Sequence, residues 1–257
     1  EAYNHAYSIP DRAKRSHAIR ALRASEDTVL PLYKPTDGST TLRIFPVDSS
    51  LPTLPREIRH VLTQNQADFD LKYAQLATNA YLWQVNEVIS FLEHGGNYWE
   101  YLREQLGLTR LSGEEWLRAK AALKIATYAL CYGGDEATIR HGRYESGSRK
   151  GGLDAVMDTC GLRDATSAFL ELPLVKAMWN ARDQAIEYAI NKGSARDAYG
   201  HEISVSTPKE AKSALAIVAQ SYELKLLYPA LQLAMESKDQ FSIVLWQHDG
   251  FTVNFPR

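Results

Sequence analysis

The chain has 257 residues, 45% hydrophobic and 23% charged, which is enough to bury one large domain or two modest ones and excludes a disordered chain on composition. No run approaches eighteen apolar residues, so a membrane span and a membrane partner are excluded, and no charged-apolar-small signal segment opens the sequence. A net charge of −2 leaves nucleic-acid binding open, because Lys and Arg are unevenly placed: Arg12, Lys14, Arg15, Arg20 and Arg23 form one cluster, and Arg140, Arg143, Arg149 and Lys150 a second. Cys131 and Cys160 form neither a metal-spaced pair nor a disulfide framework, which favours a reducing compartment. Glu1 in place of Met suggests a processed chain or a fragment of a longer one.

Residues 11–24 are helix-compatible. The stretch 31–55 is punctuated by Pro31, Pro35, Gly38, Pro46, Pro52 and Pro55, so it is expected to be extended and turning. From Tyr73 to about Leu92 the apolar residues Leu76, Ala77, Ala80, Trp83, Val88 and Phe91 recur at helical spacing, with Gly95 and Gly96 as the stop. Ser112 and Glu115 have the form of a capping box. The run that follows, Trp116 to Tyr132, has no Pro or Gly and predicts a long helix ended by Gly133 and Gly134. A Gly- and charge-rich loop is expected at 139–152, helices at about 163–192 and 208–236, and between them a turn-rich link with a short strand at 202–206. Two β-rich runs, Phe241–Gln247 and Phe251–Phe255, close the chain around His248, Asp249 and Gly250 as a hairpin would. The fold class is α+β, mostly helical.

Two features suggest chemistry. An Asp at a hairpin tip is held rigidly while remaining open to solvent, as a metal-binding carboxylate must be, although Asp-Gly is also a common tight-turn dipeptide. On the long helix Lys120, Lys124, Tyr128 and Tyr132 recur every four residues as one stripe. Two lysines so spaced repel slightly unless an anion such as a triphosphate lies along them.

These elements resemble family A DNA polymerases. Lys120, Lys124, Tyr128, Tyr132 and Gly133 resemble motif B, the nucleotide-binding helix of the fingers. Gln247, His248, Asp249 and Gly250 resemble motif C. Ala67, Asp68, Phe69, Tyr73, Leu76 and Ala77 resemble motif A; Asp70 is the weaker candidate there, since Leu71 rather than an aromatic follows it. The order is that of the family, and so are the separations, 56 residues from Asp68 to Lys124 and 125 from Lys124 to Asp249. Leu174, Val175 and Trp179, and Ala214 with Gln220–Glu223, resemble further stretches, and Arg43 resembles a palm arginine.

The resemblance implies a right-hand palm, an antiparallel sheet with helices, joined to helical fingers. The implied division is an N-terminal helix and connector at 1–45, palm at 46–75, fingers at 76–175 and palm again at 176–257. It implies DNA-directed addition of dNTPs to a primer 3′-hydroxyl, with two Mg²⁺ ions (Mn²⁺ as a substitute) on Asp68 and Asp249. Lys124 and Lys120 would meet the triphosphate, Tyr128 the sugar and base, and Tyr73 the sugar edge. Tyr132, Gly133, His248, Gln220 and Arg43 would contact primer-template.

Three departures mark a divergent member. Tyr73 replaces a Glu that blocks a 2′-hydroxyl, Gly250 replaces a third carboxylate, and Lys120 replaces Arg and loses its bidentate fork. The 67 residues before Asp68 are too few for a thumb or a proofreading exonuclease, so no exonuclease activity is expected in this chain and another chain or segment would supply the thumb. The implied setting is cytoplasmic, in a nucleoid, an infected host cell or an organelle. The rival readings are a single-subunit RNA polymerase, a catalytically inactive nucleic-acid-binding relative, and a helical interaction protein with chance matches.

Overall fold

The computed structural model describes residues 1–27, 33–35, 44–46, 51–145, 148–237, 240–247 and 249–255. The chain divides into two compact units, residues 1–72 with 220–257, and residues 73–219.

The first unit opens with α1 (Ala2–Ser8) and α2 (Arg12–Asp27), followed by β1 (Tyr33–Pro35) paired antiparallel with β2 (Ile44–Pro46), a 3-10 turn at Leu51–Thr53, α3 (Arg56–Thr63) and β3 (Ala67–Asp70). The short pieces between Tyr33 and Thr53 are what a proline-punctuated stretch permits. Ala6, Ala18 and Ala21 are fully buried and pack with Leu22, Leu54 and Ile58, so α1 and α2 share a small alanine-lined core.

The second unit is helical: α4 (Ala74–Leu82), α5 (Asn86–Glu93), α6 (Tyr98–Gln105), α7 (Gly113–Cys131) and α8 (Glu136–His141). Then come the hairpin β4 (Gly142–Glu145) and β5 (Ser148–Gly151), α9 (Leu153–Asp158), α10 (Ala165–Glu171), α11 (Pro173–Lys192) and the hairpin β6 (Ser194–Arg196) and β7 (Glu202–Ser204). Its main core centres on Tyr98, Leu102, Leu123, Leu130, Phe169 and Met178, each such apolar side chain contributing about 1.5–3 kcal/mol by leaving water. The long α12 (Pro208–Glu236) ends the second unit at Ala219 and re-enters the first at Gln220. Finally β8 (Ser242–Trp246) and β9 (Gly250–Asn254) join β3 in an antiparallel sheet of order β3-β9-β8. The result is α+β and mostly helical, with a small antiparallel sheet, as the sequence implied. No helix among the described residues is long and apolar enough to cross a membrane.

Several sequence expectations needed correction. The helix expected over 73–92 is two, broken where Gln84 takes a left-handed φ of 57° and the Val85 N–H reaches back to Ala80 O at 2.8 Å. The helix expected over 163–192 is also two, because the residue before Pro173 is driven into extended backbone (Leu172 φ −61°, ψ 134°). Ser112 makes no capping bond with its side chain; Gly113 enters α7 at φ +54°, outside the helical well in which such a box forms. The charged loop at 139–152 holds the end of α8 and the β4–β5 hairpin, and stops at Gly152, the N-cap of α9.

Candidate active site

In the sheet of the first unit, β3 lies against β9 with Asp68 opposite Thr252, Phe69 opposite Phe251 and Asp70 opposite Gly250. Alternation puts Phe69 on one face and Asp68 with Asp70 on the other. Phe69 stacks on Phe251 at 5.4 Å between ring centroids, and Phe251 on Trp246 at 6.0 Å, so the aromatic face sets the register of all three strands. On the carboxylate face Asp68 is exposed and accepts a hydrogen bond of 2.5 Å from Oγ1 of the buried Thr252.

Beyond Asp70 the ladder continues. The Leu71 N–H donates to the carbonyl oxygen of Asp249 at 2.7 Å, and the Gln247 N–H donates to Gly250 O at 2.8 Å, closing the turn that carries Asp249. Asp249, half-buried, is therefore one residue along the strand from the partner of Asp70, and three from the partner of Asp68. At about 3.3 Å per residue the second offset is about 10 Å. The register brings Asp70 beside Asp249 and sets Asp68 further up the strand. It also accounts for Gly250: a Cβ there would run into the carbonyl oxygen of Phe69 and crowd the Asp70 carboxylate, so no side chain fits at that point.

Among the described residues no group of three or more His, Cys, Asp or Glu side chains is gathered as a metal site. Asp249 on the turn and the β3 aspartates are hard oxygen donors, the kind Mg²⁺ takes, since it keeps several waters and is held by one or two carboxylates together with substrate phosphates. The all-oxygen donor set fits that ion and not a soft metal.

In the second unit α7 presents the lysine stripe. Ala119, Ala122, Leu123, Ala126 and Leu130 are buried on the inner side. Lys120 is half-buried; Lys124 is exposed, with Nζ 5.4 Å from the ring centroid of Tyr128, within cation–π reach. Tyr132, half-buried, caps the helix, its N–H donating to Tyr128 O at 2.9 Å. Gly133 follows at φ +75°, where an added Cβ would meet the Lys212 stem on α12. Lys120, Lys124, Tyr128, Tyr132 and Gly133 thus share one helix and its end, as their spacing predicted.

Tyr73 occupies a left-handed conformation (φ 58°) at the start of α4. Its hydroxyl donates to Asn97 Oδ1 at 2.8 Å and accepts from the Tyr98 N–H at 3.2 Å, tying α4 to the N-terminus of α6. Gln220 is half-buried on α12. Arg43 and His248 lie outside the described residues. From the second basic cluster, Arg140 is ion-paired with Glu136, Asp154 and Asp164 at 2.7–2.9 Å, so its charge serves the fold.

One residue escaped the sequence reading. Arg182, buried at 4% exposure, lies 3.6 Å over the Trp179 ring and donates to Gly134 O at 2.9 Å, fixing the chain just past the lysine helix. An Arg three residues after a Trp on a helix was its sole local signal.

No protein-family model matches the sequence, and neither does any curated protein. Among solved structures, the fold is similar to the POL domain of Pol1 from M. smegmatis, determined in complex with DNA primer-template and dNTP. The TM-score is 0.60 at 13% sequence identity, over 95% of this chain and 46% of that one.

Proposed function

We propose that the chain is the catalytic core of a divergent template-directed polymerase, adding dNTPs to a primer 3′-hydroxyl. One observation carries this reading: the β3–β9 register that brings the aspartate-bearing strand β3 up to the turn carrying Asp249, in a chain of polymerase-like fold. In this proposal the first unit is the palm, the second the fingers, and another segment or chain supplies the thumb.

Asp249 would hold the two Mg²⁺ ions together with Asp68, the motif A match, or with Asp70, which lies one step closer along β3 to the turn of Asp249. When bound, Mg²⁺ lowers the pKa of the 3′-hydroxyl and neutralises charge on the departing phosphates. The residues of the chain position and neutralise. The 3′-oxygen forms a bond to the α-phosphorus as the bond to pyrophosphate breaks; the hydroxyl proton passes to solvent and the electron pair leaves with pyrophosphate. Lys124, exposed on α7, would pair with the triphosphate and hydrogen-bond the leaving oxygen. Lys120 would neutralise the outer phosphates, and Tyr128, under the Lys124 ammonium, would offer its ring to the sugar and base. Tyr132 and Gly133 would meet the template at the helix end, and Gln220 the duplex. The ring of Tyr73, anchored through its hydroxyl, would close the sugar edge against ribonucleotides.

Primer extension with the purified chain, Mg²⁺ and either dNTPs or rNTPs tests this. The expected result is metal-dependent dNTP incorporation that Asp249→Ala abolishes and Lys124→Ala lowers about 10²–10³-fold, the usual loss of one preorganised electrostatic group. Extension that survives Asp249→Ala sinks the mechanism, and preferential rNTP use sinks the sugar assignment.

A further inference from the structure

Away from the lysine stripe, the second unit contains a cavity of about 270 Å³ formed by the end of α4, the last turns of α11, strand β6 and the first half of α12. Leu82, Ala189, Leu215 and Val218 give it an apolar floor, and Trp83 and Tyr188 line it with aromatic rings. Tyr188 is 66% exposed, so its ring is open to a ligand in the cavity. Lys192 and Arg196 also line it, and no Asp or Glu does. The Lys192 ammonium sits 5.7 Å from the Tyr188 ring centroid. Arg196 faces Glu202 across the β6–β7 pair, yet that carboxylate accepts from Ser194 Oγ at 2.7 Å. Among the described residues neither cation is in an ion pair.

Flat apolar rings beside two uncompensated cations match one chemistry, a nucleobase carrying a phosphate. The volume lies just below the range of drug-sized ligand pockets and suits one such unit and not a duplex. We propose that this cavity takes one base with its phosphate from a single strand of nucleic acid, with the base against Trp83 and Tyr188 and the phosphate between Lys192 and Arg196. The assignment rests on the nucleic-acid reading above and adds to it a second contact point, separate from Asp70 and Asp249 in sequence and in chemistry.

Equilibrium binding of a fluorescent oligothymidylate, in EDTA and without dNTP, tests the cavity independently of catalysis. The expected result is that Lys192→Glu with Arg196→Glu weakens binding at least tenfold and lowers the salt slope by about 0.7, the value for one lost phosphate contact on a single strand. Tyr188→Ala should weaken it about tenfold as well. A 5-bromouracil oligonucleotide should photocrosslink to Trp83 or Tyr188. Wild-type affinity in the double variant, or crosslinks elsewhere, overturns the site. Displacement of the oligonucleotide by dTTP alone, sensitive to the same variants, overturns the single-strand assignment in favour of a free nucleotide. If primer extension fails while the double variant still loses oligothymidylate, the site stands and the catalytic reading falls.

Discussion

The backbone N–H of Leu71 donates to the carbonyl oxygen of Asp249 at 2.7 Å, extending the β3–β9 ladder one step past the pairing of Asp70 with Gly250. Through that bond the two chain segments that carry the acidic residues share one rigid frame, and the frame distinguishes two aspartates that lie two residues apart.

Asp70→Ala is expected to abolish metal-dependent extension, whereas Asp68→Ala retains activity within a few-fold. Asp68→Ala instead leaves the buried Thr252 hydroxyl without its acceptor, costing about 1–3 kcal/mol. Steady-state kinetics set beside urea midpoints separate the two effects. Loss of activity in Asp68→Ala with a wild-type midpoint would return the ligand role to Asp68.

Gly250→Ala drives a methyl group into the Phe69 carbonyl and should cost about 1–3 kcal/mol while cutting extension by more than tenfold. Gly250→Asp should do the same without lowering the Mg²⁺ concentration needed for half-maximal rate. Tighter Mg²⁺ dependence in that variant would mean that the strand tolerates a side chain there.

Arg182→Ala removes the partner of Gly134 O and the stack on Trp179; a hydrogen bond to a charged donor contributes about 1.5–3 kcal/mol. Arg182→Lys keeps the charge but not the planar fork. Both variants should raise the KM for dNTP more than they lower kcat, because they loosen the end of α7 and leave the carboxylates untouched. An unchanged KM in a folded variant would contradict this.

Acid should weaken the β6–β7 turn. Burial pushes the Asp197 carboxyl up, but the His201 ring and the N–H groups of His201 and Tyr199, at 2.8–2.9 Å, outweigh it and hold the pKa below the ordinary carboxylate value. A depressed carboxylate stabilises the fold above its unfolded pKa, about 3.9, and that contribution is lost as pH falls through the folded value. Asp197→Asn should therefore lower stability at neutral pH and flatten the acid limb of the unfolding curve. An acid limb identical to wild type would assign the sensitivity elsewhere.

What could be read from the sequence follows from the range of the forces involved. The span of α12, which runs through Pro229 in its interior, and the closing hairpin were legible because a long run of helix-forming residues and a two-strand alternation are local patterns. The lysine stripe of α7 was legible for the same reason. The break at Gln84 was not, since a left-handed glutamine has no glycine to announce it. Pro173 did signal a break, and helical periodicity on both sides masked it. The register that sets Asp68 opposite Thr252 and Asp70 opposite Gly250 joins residues up to 184 positions apart, and no local rule reaches that far. Arg182 and Gly134 are 48 residues apart and are joined by packing alone.

The division of the chain at Lys72 and Gln220 also has a consequence for how the protein is made. The second unit is continuous in sequence and can fold as it leaves the ribosome. The sheet of the first unit must wait, because β3 cannot pair until β9, near the end of the chain, has emerged, and closing so long a loop is slow. The carboxylates then assemble after the second unit, and a nascent chain halted before Gly250 would carry the lysine helix but lack the strand that pairs with β3. Pulse-labelled hydrogen exchange during refolding should find α7 protected before Thr252.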